Sequence, residues 1–351
     1  MGNKKVLILL HGMGVHTSES FKKEVLEASN NVLQRYPSFK NLKFEDQVVI
    51  ESIEYDSIFE KHRTDLANNA EAITDVIKTH LPGIAVPNVI KRLLKFEQGI
   101  EDDKFENTHV LDVILYLTLV GGEVRAKVTD EIGKVFRKYN DSDICILAHS
   151  LGTAIAHDAM DMLFTDVKPK KGQLPISSHK IDKYWAFANV SRIITTFSGK
   201  QPPLNSIVKP GVDGCLGSFS NVYNELDPFV LDIFKRFSPN DDGNWINPNI
   251  YKYFYKNLNT KKVSRINTHS IKGYIEDPDV CHDFLNTFFS FLPSPDEKSI
   301  GDAKFESVQS EFKKVKEQID DIASYQDVVT FLNALKEFKE FLIKEGSDEL
   351  L

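Results

Sequence analysis

The pattern of apolar and polar positions along the first 55 residues predicts a strand, a helix and a second strand, in that order. Residues 6–10 form a short apolar run that ends at a glycine-containing turn, which is typical of a strand buried on both faces. Apolar residues then recur at helical spacing over 20–36, and residues 48–55 form the next strand candidate. This order predicts a mostly parallel sheet flanked by helices, the α/β class.

Predicted strands and helices continue to follow one another up to residue 292, so we expect one α/β domain over residues 1–292. Two segments within it are interpreted as insertions that shape a pocket. Residues 84–104 carry an amphipathic fragment suited to a lid, and residues 229–258 are dense in aromatic side chains. Further helices are predicted at 65–80, 110–139, 151–164 and 279–292, and further strands at 143–149, 193–197, 218–223 and 262–267.

The pattern changes after residue 292. Two prolines and a polar stretch predict a linker over 293–302. Beyond it, apolar residues step by three and four in two successive runs, which predicts a helical hairpin over 303–346. The apolar seams of this hairpin need a partner, which is either the main domain or the same hairpin in a homodimer. The spacing favours neither.

Charge and composition argue against several classes of partner. Asp and Glu outnumber Lys and Arg by 51 to 43, and no basic block is present to neutralise phosphates, so no nucleic-acid partner is expected. No segment reaches the ~18 uninterrupted apolar residues of a transmembrane span, and no signal peptide is recognised. The spacing of Cys145, Cys215 and Cys281 fits neither a disulfide framework nor a zinc site. We therefore expect a cytoplasmic protein without a metal.

The segment around Ser150 carries the most specific chemical signal. A buried strand ends, Ser150 follows, and a helix begins at once. Such a turn strains the serine and projects its hydroxyl above the sheet, and the residues two positions before and after it must be small. These are Ala148 and Gly152, of which Ala148 departs from the usual glycine by one methyl group. The alternative is a serine that only caps the following helix.

Two backbone amides are candidates for an oxyanion hole beside Ser150. The amide of Leu151 lies at a helix N-terminus, and the turn after the first strand offers the amide of Met13. We expect the first strand and the Ser150 strand to be near neighbours at their carboxyl ends, where open α/β sheets bind ligands. A plain turn is the alternative, and no lysine follows to make it a phosphate-binding loop. The residues assigned to substrate binding around this turn are His11, Gly12, Gly14 and His16.

With HGMG at 11–14 and LAHSLGTAIAHD at 147–158, the chain resembles the α/β-hydrolase superfamily, particularly its lipases and esterases. The resemblance extends from residue 6 to about residue 292 and excludes the hairpin. It implies the α/β-hydrolase fold and the chain order nucleophile, acid, histidine. On that order Asp227, which precedes a proline, is the acid and His269 is the histidine. His282, the other histidine after Asp227, lies in the predicted closing helix and is set aside.

These roles predict a carboxylic ester hydrolase that needs no cofactor. Ser150 would attack the ester, His269 would move the proton, and Asp227 would hold the imidazole. The substrate would be a small-molecule or lipid-like ester, because aromatic walls suit acyl chains. An amidase, thioesterase or acyltransferase would use the same triad, and an inactive hydrolase fold could serve as a binding module. His149 is expected to be structural and to point away from the site.

Overall fold

The structure is a computed structural model that describes most of the α/β unit. The predicted lid at 84–104, nearly all of the predicted hairpin and most of the aromatic segment lie outside the described residues. The described residues are 4–12, 17–68 (backbone only from 63), 112, 116, 120–192, 194, 206–224, 227, 230, 253–260, 269–290 and 292–305.

A six-stranded sheet forms the centre of the described fold, with every neighbouring pair of strands parallel. Its strand order is β2-β1-β3-β6-β7-β8, and β4 and β5 form a separate two-stranded pair. The α/β class and the mostly parallel sheet predicted from the sequence are therefore confirmed. The strands are β1 (Lys5–Leu10), β2 (Val48–Ser52), β3 (Ile144–His149), β4 (Phe164–Thr165), β5 (Leu174–Pro175), β6 (Ile181–Phe187), β7 (Leu216–Asn224) and β8 (Tyr255–Thr260).

Helices connect these strands and cover the sheet. Every side chain of β3 is buried, and since successive side chains point to opposite faces, both faces of the sheet are covered there. None of the helices in the described ranges is long and apolar enough to cross a membrane. The helices are α1 (Ser18–Arg35), α2 (Phe44–Gln47), α3 (Asp56–Asn68), α4 (Gly121–Lys138), α5 (Leu151–Leu163), α6 (Ile271–Glu276), α7 (Pro278–Phe288) and α8 (Pro295–Ala303).

The strand order reverses direction between β1 and β3. The chain passes from β1 to β2 on one side, then crosses back to place β3 on the other side of β1. Leu10 at the end of β1 pairs in register with Ala148 near the end of β3. In open α/β sheets, ligands bind outside the carboxyl ends of the strands at such a reversal.

One strand lies where the sequence did not predict it. β6 occupies 181–187, whereas the prediction placed a strand at 193–197, and residues 191, 192 and 194 are helical. The charged residues Asp182 and Lys183 masked the apolar pattern of β6. In the structure Asp182 pairs with Lys5 at 2.6 Å, so its charge is neutralised across the sheet.

The last described strand, β8, also lies where the sequence did not predict a strand. β8 takes residues from the end of the predicted aromatic insertion at 229–258, and the predicted strand at 262–267 lies outside the described residues. β8 pairs only with β7 in the described sheet, so it can carry polar side chains such as Lys256, which bonds Asp283 at 2.6 Å. An edge strand of this composition lacks the continuous apolar run that predicts a buried strand.

The segment predicted as a linker at 293–302 is largely helical instead. α8 begins with Pro295 and has a capping box in which Ser294 and Glu297 satisfy each other's backbone amides. The Glu297 carboxylate also accepts bonds from the Ser38 amide at 2.7 Å and the Ser38 hydroxyl at 3.0 Å. This segment is therefore fixed against the end of α1. Likewise, α3 begins at Asp56, earlier than the helix predicted at 65–80.

Lys183 gives the fold a testable pH dependence. Its ammonium group lies 5.0 Å from the Trp185 ring centroid. Burial, reinforced by repulsion from Lys256, lowers the pKa of Lys183 from 10.5 to about 8. Between these two pH values the unfolded chain binds more protons than the folded chain at this site, so this group's contribution to stability rises with pH.

Replacing Lys183 with methionine should remove this contribution. We expect Lys183→Met to be more stable than the parent at pH 7. The difference should shrink as the pH rises from about 8 to 10.5, because the parent lysine is neutral in the folded state above the lower value and in both states above the higher one. Urea unfolding at several pH values measures this, with Lys127→Met, at an exposed position of α4, as the control. A constant difference across the pH range would contradict the assignment.

Candidate active site

Ser150 occupies a strained turn between β3 and α5. Its backbone has φ 53° and ψ −129°, a region that costs a non-glycine residue about 1–3 kcal/mol. Ala188 is the only other non-glycine residue with a positive φ in the described part of the chain. Such strain persists at functional sites because the surrounding structure imposes it.

The side chain of Ser150 does not cap α5, although the residue stands at the N-cap position. The hydroxyl is buried and makes no hydrogen bond to any residue that the structure describes. A buried polar group without a partner costs about 1–3 kcal/mol. The helix-capping alternative is therefore not supported, and the free hydroxyl is a candidate nucleophile.

Backbone contacts hold the Ser150 turn in place. The Ser150 amide donates to the carbonyl of Phe187 at the end of β6, at 3.0 Å. Its carbonyl accepts from the Thr153 amide at 2.9 Å and from the Thr153 hydroxyl at 2.6 Å. The same hydroxyl oxygen accepts from the Val190 amide at 3.0 Å, which ties the turn to the loop after β6.

The end of β1 lies directly against this turn. A Cβ atom on Gly152 would stand 2.2 Å from the carbonyl oxygen of His11 and 2.6 Å from that of Leu10. A Cβ atom on Gly12 would stand 2.7 Å from the Ser150 Cβ. The small residue required at 152 is thus explained by the approach of the β1 backbone, and the predicted proximity of the two strand ends is confirmed.

Asp227 and His269 form a buried pair in the loops that follow β7 and β8. Nδ1 of His269 lies 2.7 Å from Oδ2 of Asp227, and Asp227 is fully buried. A carboxylate in this position accepts a hydrogen bond from the Nδ1–H group, which keeps the proton on Nδ1 and leaves Nε2 as the basic nitrogen. Because β7 and β8 are parallel to β3, both loops emerge at the same edge of the sheet as Ser150.

Tyr274 also contacts the Asp227–His269 pair, which the sequence did not predict. Its hydroxyl, on buried α6, donates to the same Oδ2 of Asp227 at 2.5 Å. Two donors on one oxygen fix the carboxylate plane and so the imidazole that it holds. The sequence places Tyr274 five residues after His269, but no pattern in the sequence relates Tyr274 to Asp227.

The prediction about the direction of the His149 side chain was wrong. The side chain was expected to point away from the site, but its Nε2 lies 2.8 Å from the backbone carbonyl oxygen of His269. The two imidazole rings pack with centroids 4.8 Å apart. The residue before Ser150 therefore holds the loop that carries His269, which connects the serine turn to the Asp227 pair.

One contact of a complete triad is not made. The Ser150 hydroxyl has no hydrogen bond to His269, although Asp227 bonds His269 and His149 bonds its backbone. In enzymes without substrate this contact is often long and tightens only when the substrate binds. The structure thus places the three predicted residues at one edge and joins two of them directly.

The predicted oxyanion and substrate-binding residues are described only in part. Leu151 is the first residue of α5, so its amide is among those without an acceptor within the helix. His11 is buried, with Nε2 2.8 Å from Asp56 and its ring stacked on Tyr55 at 4.3 Å, contacts that fix the base of the turn. Gly12 contacts the serine turn, whereas Met13, Gly14 and His16 lie outside the described residues.

A second serine–histidine contact involves His157, a residue of α5. Nε2 of His157 is 2.8 Å from the Ser206 hydroxyl, which also accepts from the Val208 amide. Its Nδ1 is a longer 3.4 Å from Asp158, whose carboxylate is already bonded by Tyr116 at 2.9 Å. Ser206 lacks the strained turn of Ser150 and serves better as a comparison than as a nucleophile.

Comparison with known proteins yields no match to any protein-family model and no match to a curated protein. A functional proposal for this chain therefore depends on the geometry of its own site.

The close contact at Gly152 predicts a difference between two helix-start glycines. Gly152→Ala should destabilise the protein by about 1–3 kcal/mol, because backbone carbonyls of β1 block the added methyl group. Gly122→Ala lies in the first turn of α4, where the new Cβ would meet no atom within 4 Å apart from the neighbouring backbone of its own helix. It should be neutral or stabilise by up to about 1 kcal/mol. Urea unfolding measures both, and equal effects would contradict the packing described.

Proposed function

We propose that this chain is a serine hydrolase of the α/β-hydrolase type that cleaves carboxylic esters. The observation that carries the proposal is the strained turn of Ser150, with a buried hydroxyl that caps nothing. The Asp227–His269 pair at the same edge of the sheet supports it, because a serine needs a base oriented by a third group.

The topology supports the same proposal. Ser150 lies at the carboxyl end of β3, beside the reversal of strand order where open α/β sheets bind ligands. Along the chain the nucleophile, acid and histidine follow in the order of α/β-hydrolases. The turn from a buried strand directly into a helix is also that of this superfamily's nucleophile.

The proposed reaction proceeds in two steps. Oγ of Ser150 attacks the ester carbonyl while Nε2 of His269 accepts the hydroxyl proton, and Asp227 stabilises the imidazolium. The amide of Leu151, with that of Met13 as predicted, binds the oxyanion. Collapse releases the alcohol with the proton returned by His269. Water then attacks the acyl-enzyme in the same way, which releases the acid and restores Ser150.

The substrate class is a carboxylic ester with an apolar acyl part, and this choice depends on the sequence. Tyr253 and Phe254, at the end of the aromatic segment, are exposed but precede β8. They therefore lie toward the edge of the sheet opposite Ser150 and do not line the site. Val230 is buried and its amide donates to the Asp227 carbonyl, so the start of this segment does adjoin the site.

We also propose that the predicted C-terminal hairpin packs against the α/β unit. Its described start supports this, because the Arg35 guanidinium lies 5.0 Å from the centroid of the Phe305 ring. The chain therefore leaves α8 next to the end of α1.

We also propose a cytoplasmic location, since Cys145, Cys215 and Cys281 are free and buried, as in proteins of reducing compartments.

A binding module built on the same fold is the second candidate function. The observation that favours it is that the Ser150 hydroxyl and the His269 imidazole are not hydrogen-bonded. In that case Ser150 would have no activated base, and the site would bind a ligand without cleaving it. Reaction with a covalent probe separates the two candidates.

A fluorophosphonate probe should label the full-length protein at Ser150, because the activated hydroxyl forms a stable phosphonyl ester. Labelling should be lost in Ser150→Ala and retained in Ser206→Ala, the matched control in which the serine also contacts a histidine. Mass spectrometry of the labelled peptide identifies the residue. No labelling of folded parent protein, together with no turnover of p-nitrophenyl esters, would favour the binding module.

The contact of Tyr274 with Asp227 predicts a second kinetic effect. Tyr274→Phe removes a hydrogen bond to a carboxylate, a contact worth about 1.5–3 kcal/mol, and should slow probe labelling by about ten- to hundredfold. Asp227→Asn should slow it far more, by up to about 10⁴-fold, because the imidazole loses its correct tautomer.

The double variant tests whether Tyr274 acts through Asp227. Adding Tyr274→Phe to Asp227→Asn should change the labelling rate by less than about twofold, since coupled residues are not additive. Tyr139→Phe is the control and should leave the rate unchanged, because it removes a tyrosine–carboxylate bond to Glu51, which has no described contact with Asp227 or His269. Additive effects would show that Tyr274 has only a structural role.

A further inference from the structure

Four side chains of different chemistry meet where α1, α7 and α8 come together. They are the Tyr36 phenol, the Cys281 thiol, the His282 imidazole and the Asp302 carboxylate. The ligand atoms of Cys281, His282 and Asp302 all lie within 4.8 Å of one another. The Tyr36 oxygen is 3.4 Å from Cys281 Sγ, 3.5 Å from His282 Nε2 and 3.2 Å from Asp302 Oδ1.

We propose that Tyr36, Cys281, His282 and Asp302 form a structural site for a divalent cation of the zinc type. Thiolate, imidazole and carboxylate are the three ligand classes that Zn²⁺ takes from proteins, and structural sites are four-coordinate. The phenol oxygen of Tyr36 stands at the fourth corner. This site is independent of the proposed hydrolase activity.

The distances between the ligand atoms fit a tetrahedron around such an ion. Bonds of about 2.0–2.3 Å to the metal imply about 3.3–3.8 Å between ligand atoms at neighbouring corners. The three distances from the Tyr36 oxygen fall at or near this range, and His282 Nε2 lies 3.0 Å from Asp302 Oδ1. The two remaining edges, from the thiol, are at most 4.8 Å and need to shorten by about 1 Å or less.

The charges of the site match a divalent cation. A thiolate and a carboxylate together neutralise two positive charges, while His282 and Tyr36 bind as neutral groups. The thiol proton leaves to solvent as the metal–sulfur bond forms, as for coordinated thiols generally. Cys281 is buried, whereas the side chains of His282 and Asp302 are 19% and 33% exposed and provide a path for the ion.

The surrounding contacts hold the ligands on three separate elements. Tyr36 ends α1 and packs so closely on α8 that a Cβ atom on Gly301 would stand 2.2 Å from its ring. Glu297 fixes the start of α8 through Ser38. Cys281 and His282 lie in α7, whose N-cap is Asp277. The ligands are thus brought together by packing that does not depend on the ion.

The site lies away from Ser150 and at the start of the C-terminal segment. α1 follows the carboxyl end of β1 and runs back along the sheet, so Tyr36 at its end lies toward the opposite edge. An ion bound here would join α8 to α1 and α7. It would therefore anchor the segment that leads to the predicted hairpin, without contact to the proposed reaction site.

Titration of the full-length protein with Co²⁺ tests the site, because cobalt replaces zinc and reports its ligands by absorption. We expect one equivalent to give tetrahedral d–d bands and a thiolate-to-cobalt charge-transfer band, both displaced by Zn²⁺. Cys281→Ser should lose the charge-transfer band, whereas Cys215→Ser, another buried and free cysteine, should keep it. Asp302→Asn, with a partly exposed side chain, should weaken binding by at least about tenfold.

Thermal unfolding and probe labelling complete the test. Zn²⁺ should raise the melting temperature of the parent by a few degrees and that of Asp302→Asn by less. A hydrogen-bonded cluster without a metal would show no charge-transfer band and no shift, and either result overturns the proposal. A band that survives in folded Cys281→Ser also overturns it. Fluorophosphonate labelling of Ser150 should be the same with and without chelator, so the two proposals fail separately.

Discussion

The backbone contact between the end of β1 and the start of α5 is the constraint on which the candidate site depends. The carbonyls of Leu10 and His11 pass so close to Gly152 that no side chain fits between them. This approach holds Ser150 in its strained conformation beside the reversal of strand order. The position of the serine is therefore a consequence of parallel pairing between β1 and β3 and of packing on both faces of that pair.

The rest of the site is held by polar contacts among residues far apart in the chain. His149 bonds the backbone of His269, Asp227 bonds the ring of His269, and Tyr274 bonds Asp227. Each contact fixes the next group in a buried setting, where a lost partner leaves an unsatisfied polar atom. The cluster at Tyr36 follows the same principle at the junction of α1, α7 and α8.

Local pattern predicted those elements whose burial is continuous or periodic. The apolar runs of β1 and β3 and the helical spacing of α1 and α7 all correspond to observed elements. It missed β6 and β8, because both strands carry charged side chains. The charges of Asp182 and Lys256 are satisfied by Lys5 and Asp283, which lie elsewhere in the fold. The polar segment expected to be a linker became α8 for a related reason, since its docking depends on Ser38.

By itself, the sequence determined the α/β class, the serine turn and the chain order of the candidate triad, since each depends on local periodicity or on neighbouring residues. Only the tertiary structure decided that Asp227 bonds His269, that His149 and Tyr274 support this pair, and that Cys281, His282, Asp302 and Tyr36 converge. The physical reason is that such contacts depend on side-chain direction and on the register of distant elements. Neither leaves a periodic signal along the chain.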